Sequence, residues 1–157
     1  MSSAELEAYL HDHIPLAKAM QVRVRGLAED SVVLGAPLAP NINHLGTVFG
    51  GSASALAILS AWALLHTRLQ RAAVPCRLVI QRNSMSYELP IDGGFTARSF
   101  LEPSQDWSAF LRMLARRGKA RLSVSSVLEY GGQIAGHFSG EFVAQGQASP
   151  PGPEIRS

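Results

Sequence analysis

Two hydrophobic periods divide this chain. Over residues 4–19, Leu6, Leu10, Ile14 and Leu16 mark a helical stripe, with Ser3 placed to cap its start and Pro15 placed to bend or end it. Residues 21–26 then alternate with period two, residues 28–30 turn, and residues 31–36 return as a second strand, giving a hairpin. Pro37 and Pro40 close the hairpin, and a polar, glycine-containing loop runs to Ser52. Residues 52–70 read as a helix that is apolar nearly all round as far as Leu65, with only His66, Arg68, Gln70 and Arg71 looking solvated. Such a helix is either in a membrane or wrapped by protein. The run from Ala53 to Leu65, broken by Ser54 and Ser60, falls short of the ~20 apolar residues a bilayer needs, which leaves wrapping.

The remaining pattern supplies the wrapping. Residues 77–87 and 95–101 read as strands separated by Pro90 and Gly93-Gly94. Between Ser104 and Gly118, Trp107, Phe110, Leu111 and Leu114 lie at i, i+3, i+4 and i+7 of an amphipathic helix, with Arg112, Arg116 and Arg117 off that stripe. Residues 120–130 and 133–144 flank Gly131-Gly132, a two-residue hairpin signal. Six strands with hairpin connections and one buried helix predict an α+β domain: a curved antiparallel sheet wrapped around a central helix. Residues 1–145 form one domain in this reading, and the proline-containing stretch 146–157 is expected to be a disordered tail. Open sheet edges invite pairing, so a homodimer is expected.

Composition narrows the function. The chain has 157 residues, 46% hydrophobic and 17% charged, with one cysteine, Cys76, so no disulfide framework and no cysteine-rich metal site exists. The net charge of +2 argues against nucleic acid as a partner, and the acidic, polar start is unlike a signal peptide. A cytoplasmic protein without membrane attachment is expected. His11 and His13 do not share a helix face, so no metal is expected. Ser139 lies in a strand, without the sharp elbow of a nucleophilic serine, and His137 reads as a strand residue. No phosphate-binding glycine loop is present.

The loop Asn41-Ile-Asn-His-Leu-Gly-Thr-Val-Phe-Gly-Gly-Ser, the following Leu56-Ala-Ile-Leu-Ser-Ala-Trp-Ala-Leu and the closing Ile134-Ala-Gly-His-Phe-Ser-Gly-Glu-Phe-Val-Ala carry a family resemblance. Together they resemble the hotdog-fold thioesterase domains of the YiiD C-terminal type, over roughly residues 10–145. The resemblance implies a sheet wrapped round a central helix, a dimer or dimer of dimers, and an acyl-thioester ligand at the dimer interface, with no cofactor. Hotdog thioesterases of the phenylacetate type show Asn-x-x-Gly-x-x-His-Gly-Gly and then an aspartate on the helix. Here Asn43, Gly46, Gly50 and Gly51 are in register, but Phe49 stands at the histidine position and Ile58 near the aspartate position. That enzyme's carboxylate mechanism therefore does not transfer.

The residues left for chemistry are those at the helix start. Gly51 is the expected oxyanion donor through its N–H, because a helix N-terminus attracts negative charge and glycine permits close approach. Asn43 is the expected orienter of a carbonyl or water, and His44 the general base. Thr47, Phe49, Gly50 and Ser52 are expected to bind substrate, and Arg116 and Arg117 to meet the phosphates of an acyl-CoA. Glu88 and Asp92 are rival bases. The expected reaction is hydrolysis of an acyl-CoA or acyl carrier protein thioester. A non-catalytic acyl-thioester binding domain and a plain dimerisation module remain alternatives.

Overall fold

The computed structural model describes residues 1–146. Its elements run α1 (Ser3–His13), α2 (Pro15–Ala19), β1 (Arg23–Leu27), β2 (Ser31–Ala36), α3 (Gly50–Arg71), β3 (Cys76–Tyr87), β4 (Phe95–Leu101), α4 (Trp107–Arg117), β5 (Lys119–Tyr130) and β6 (Gln133–Gly146). All six strands join one antiparallel sheet in the order β1-β2-β4-β5-β6-β3, so every neighbouring pair is antiparallel. The single predicted N-terminal helix is two helices. Ile14 takes an extended conformation, which ends α1 and lets Pro15 sit at the first position of α2, where its missing N–H costs nothing. Ser2, not Ser3, caps α1, accepting the Glu5 N–H while Glu5 reaches back to the Ser2 N–H. At the other end, β6 continues through Gly146; residues 147–157, the rest of the expected tail, lie outside the described residues.

Alternation along β5 and β6 explains how the sheet holds α3. Ala120, Leu122, Val124, Ser126 and Leu128 of β5, and Phe138, Gly140, Phe142 and Ala144 of β6, are buried at every second position. Their neighbours Lys119, Arg121, His137 and Ser139 face water. The hairpin between these strands turns on Gly131 and Gly132, whose φ values of 58° and 76° are those a tight two-residue turn demands.

Three serine hydroxyls fasten the helix to this concave face. Ser60 Oγ lies 3.1 Å from Val32 O and 3.0 Å from Ala97 O, carbonyls on β2 and β4. Ser99 donates to Ser60 O at 2.8 Å, and Ser126 donates to Ala57 O at 2.9 Å. All three serines are fully buried or nearly so. Ser60, which interrupts the apolar run in sequence, is therefore a fastening point rather than a solvated position.

The two sheet edges differ. On β1 the Glu7 carboxylate accepts the Val24 N–H at 3.0 Å and pairs with Arg23 at 3.1 Å. Partial burial raises the Glu7 pKa, but the Val24 N–H and the Arg23 charge outweigh it and hold the carboxyl below its ordinary value. On β3 no carboxylate occupies an edge N–H among the described residues, and Val79 and Tyr87 are each 58% exposed. Replacing Ser60 with Ala is expected to cost about 1–3 kcal/mol, because Ala97 O loses its hydroxyl partner in a dry interior. Urea unfolding measures this, and an unchanged midpoint would mean that the hydroxyl does not fasten the helix.

Candidate functional site

The start of α3 is left with free donors by its sequence. Phe49 occupies the N-cap position and offers no side-chain cap. Its own N–H bonds Asn41 O at 2.8 Å, and the Ala53 N–H bonds Phe49 O at 3.0 Å. The N–H groups of Gly50, Gly51 and Ser52 lie between and have no partner among the described residues. The Phe49 ring, 56% exposed, packs so closely on Gly51 that a Cβ there would stand 2.3 Å from Phe49 Cε1. Only glycine permits this packing.

The loop before the helix is clamped by Asn43. Its side-chain oxygen accepts the Leu45 and Thr47 N–H groups at 2.8 and 3.1 Å, and its Nδ2 donates to Thr47 Oγ1 at 2.9 Å. Its second amide hydrogen has no partner among the described residues. Thr47 is thus engaged with Asn43, Ser52 is half-buried in the first turn, and His44 projects into solvent from the loop. Behind the loop, Asn41 is 2% exposed and donates to Met20 O and Pro37 O, tying the loop to the chain after α2.

A cleft of about 330 Å³ opens beside Gly50, walled by Val48, Tyr87, Glu88, Leu89 and Ala135. The Tyr87 hydroxyl donates to Gly50 O at 3.2 Å, joining the end of β3 to the helix start. Glu88 is held in turn by His137 on β6, whose Nδ1 lies 2.7 and 2.9 Å from the two carboxylate oxygens. The other rival base, Asp92, accepts from the Tyr130 hydroxyl, and that bond raises the Tyr130 pKa. Asp92 does not wall the cleft.

Arg116 and Arg117 lie elsewhere. They end α4 and precede Lys119 at the start of β5, whereas Leu128 of β5 is the residue that reaches the cleft. Nine residue steps along the strand separate Lys119 from Leu128, or about 30 Å. Within one chain these arginines do not share a site with Gly51.

The reading of His66 as a solvated helix end is overturned. His66 is stacked between Trp62, at 4.6 Å, and Tyr9, at 4.7 Å, and Tyr9 stacks on His13 at 4.1 Å. The sequence offered no sign of this, because α1 and α3 meet only in the fold. Burial of His66, reinforced by the neighbouring His13, lowers its pKa from the ordinary histidine value. The pairing of His137 with Glu88 was equally hidden. Those residues are brought together by the β3–β6 register, in which Ser86 faces His137.

Among the described residues no helix is long and apolar enough to cross a membrane, and no group of three or more His, Cys, Asp or Glu is gathered to hold a metal. The comparisons with known proteins agree with the architecture. A family model described as "Putative thioesterase (yiiD_Cterm)" matches residues 3–146. A crystal structure of a protein of unknown function from Chlorobaculum tepidum is 25% identical, with 92% of this chain and 94% of that one covered at a TM-score of 0.87. One from Shewanella oneidensis, described as a "putative thioesterase", is 24% identical, covers 91% and 96%, and scores 0.81. A thioesterase from Haemophilus influenzae is only 10% identical yet covers 97% and 96% at 0.77. The curved six-stranded antiparallel sheet around a long helix is that of these proteins, the hotdog fold.

The His66 stack makes a pH prediction. A histidine whose folded pKa is depressed binds its proton more readily in the unfolded chain, so its contribution is complete above about pH 6.5 and is lost as pH falls toward the lower folded value. His66→Phe keeps a stacking ring that does not titrate. Urea unfolding between pH 7.5 and 5.5 is expected to show a shallower fall in stability for the variant, and equal falls would discount His66.

Proposed function

The chain belongs to this thioesterase family, and on that premise we propose that it hydrolyses an acyl thioester, acyl-CoA or an acyl carrier protein conjugate, at the start of α3. The observation that carries this reading is the set of unpartnered N–H groups on Gly50, Gly51 and Ser52 beside a cleft. A thioester carbonyl gains negative charge as it is attacked, and fixed N–H donors at a helix N-terminus stabilise that charge without reorganising.

In the proposed step the Gly51 N–H receives the carbonyl oxygen, with Asn43 directing the carbonyl or the water through its remaining amide hydrogen. His44 takes a proton from water as the water oxygen bonds to the carbonyl carbon. The tetrahedral species collapses, the C–S bond breaks, and the thiolate leaves with the proton from His44. Thr47, Phe49, Gly50 and Ser52 shape the rim. A second reading has its own support: Glu88 walls the same cleft as Gly50 and is oriented by His137, so the carboxylate can be the proton acceptor instead.

The exposed β3 residues Val79 and Tyr87 support a homodimer through that edge, since Glu7 already occupies the Val24 N–H on the β1 edge. Two β3 strands related by a two-fold axis run antiparallel. The Cys76 end of a second copy then lies toward the Tyr87 end of the first, and Cys76 pairs with Gly146, which bonds Gly118 O. This arrangement carries Arg116 and Arg117 of a second copy toward the helix start, where they can meet coenzyme A phosphates.

Assay of purified protein on an acyl-CoA panel tests the reaction. His44→Ala is expected to lower kcat by about 10²-fold or more with the fold intact, as for loss of a general base. If His44→Ala retains activity while Glu88→Ala loses it, the carboxylate reading replaces it. If neither variant loses activity, the site lies elsewhere.

Sedimentation is expected to give a dimer at micromolar concentration. Replacing Arg116 and Arg117 with Ala is expected to raise KM for acyl-CoA most at low salt, where surface charges are least screened. A monomer, or an unchanged KM at low ionic strength, would remove the arginines from the site.

A further inference from the structure

The sheet covers α3 on every side but one. Gly51, Ala55, Ile58, Trp62 and His66 follow one another at i, i+4, i+7, i+11 and i+15, and each keeps exposure, while Leu56, Ala57, Ala61, Leu64 and Leu65 between them are buried. A groove of about 330 Å³ runs along this open stripe, between α2 and α3. Ala55 and Ile58 form its floor, Met20, Leu16 and Ile80 stand at its sides, and Trp62 is the last α3 residue to line it. Its near end begins one helical turn beyond Gly51, and every one of these side chains is apolar.

The far end is closed by a fixed side chain. The Trp62 indole N–H donates to Leu78 O at 3.2 Å, and its ring is backed by the column of His66, Tyr9 and His13. An indole held by a hydrogen bond at one point and stacked across its face has little freedom to swing aside.

We propose that Trp62 is the end wall of an acyl groove that begins one helical turn beyond Gly51, and that it sets the longest acyl chain the protein accepts. This rests on the thioesterase reading above. The occupant is the acyl chain of the substrate, because the groove begins on the same helix face one turn beyond the helix start proposed to receive the thioester carbonyl, and its lining is apolar throughout. Eleven residues of helix separate Gly51 from Trp62, about 16 Å. An extended alkyl chain advances a little less than the ~1.5 Å C–C bond length per carbon, so it meets the indole after roughly a dozen carbons. Ile58, near the position where a phenylacetate-type enzyme carries its aspartate, is part of the groove floor here, and a carboxylate at that point would break the apolar path.

The test is a chain-length profile of kcat/KM on straight-chain acyl-CoAs and the matching acyl-pantetheines, with thermal melting of each variant as the check on folding. For the wild-type protein, kcat/KM is expected to rise by roughly four-fold per buried methylene and to fall beyond about a dozen carbons. Trp62→Ala is expected to move the optimum to longer chains. Ile58→Trp, which fills the groove nearer the helix start, is expected to move it to shorter ones, and it keeps the proposal testable if Trp62→Ala does not fold. Active protein whose optimum is the same in folded variants overturns the end wall while leaving the thioesterase reading standing. Variants that shift the monomer–dimer equilibrium with no change in optimum assign the groove to a second copy of the chain and also overturn it. Wild-type protein that hydrolyses neither series overturns the thioesterase reading, and the end wall with it.

Discussion

The rotation of α3 about its own axis is fixed by hydroxyl–carbonyl bonds rather than by its apolar surface. A helix that is greasy nearly all round packs against a concave sheet in many rotations of similar burial, because hydrophobic contact is not directional. Ser60 bonding Val32 O and Ala97 O, Ser99 bonding Ser60 O and Ser126 bonding Ala57 O select one of them. A turned helix would strand those groups unpaired in the core. The selected rotation buries Leu56, Leu64 and Leu65 and leaves Gly51, Ala55, Ile58 and Trp62 along the open side.

The same economy governs the loop that leads into the helix. Asn43 uses its side chain to hold Leu45 and Thr47, and Asn41 uses its own to hold Met20 and Pro37. Both asparagines stiffen backbone, and in the proposed site the N–H groups of Gly50, Gly51 and Ser52 are the main free donors. A site built from backbone N–H groups carries no side-chain signature beyond small residues. That is why Gly50-Gly51 was its clearest mark in the sequence.

Legibility followed distance along the chain. The β5–β6 hairpin, the buried helix and the amphipathic stripe of α4 were readable because each depends on a period or a turn within some twenty residues. The start of α2 was not, because Pro15 is as compatible with a new helix at its first position as with a bend in an old one. The ring column of Trp62, His66, Tyr9 and His13 joins α1 to α3, and Glu88 meets His137 only through the β3–β6 register. No local pattern encodes either meeting. The arginines of α4 lie off an apolar stripe that the helical period shows, and the length of β5 is equally legible, but which end of β5 lies beside the helix start depends on how α3 seats against the sheet.

The unlike edges of the sheet bear on stoichiometry. Glu7 occupies the Val24 N–H on β1, whereas β3 gives only the Leu78 carbonyl to the Trp62 indole and leaves Val79 and Tyr87 exposed. A ribbon with one sealed margin and one open margin has a pairing valence of one. In the proposed dimer, edge-to-edge growth would therefore end after a single partner has been added, and a strand edge that could otherwise template a fibre would become a device for stopping at two.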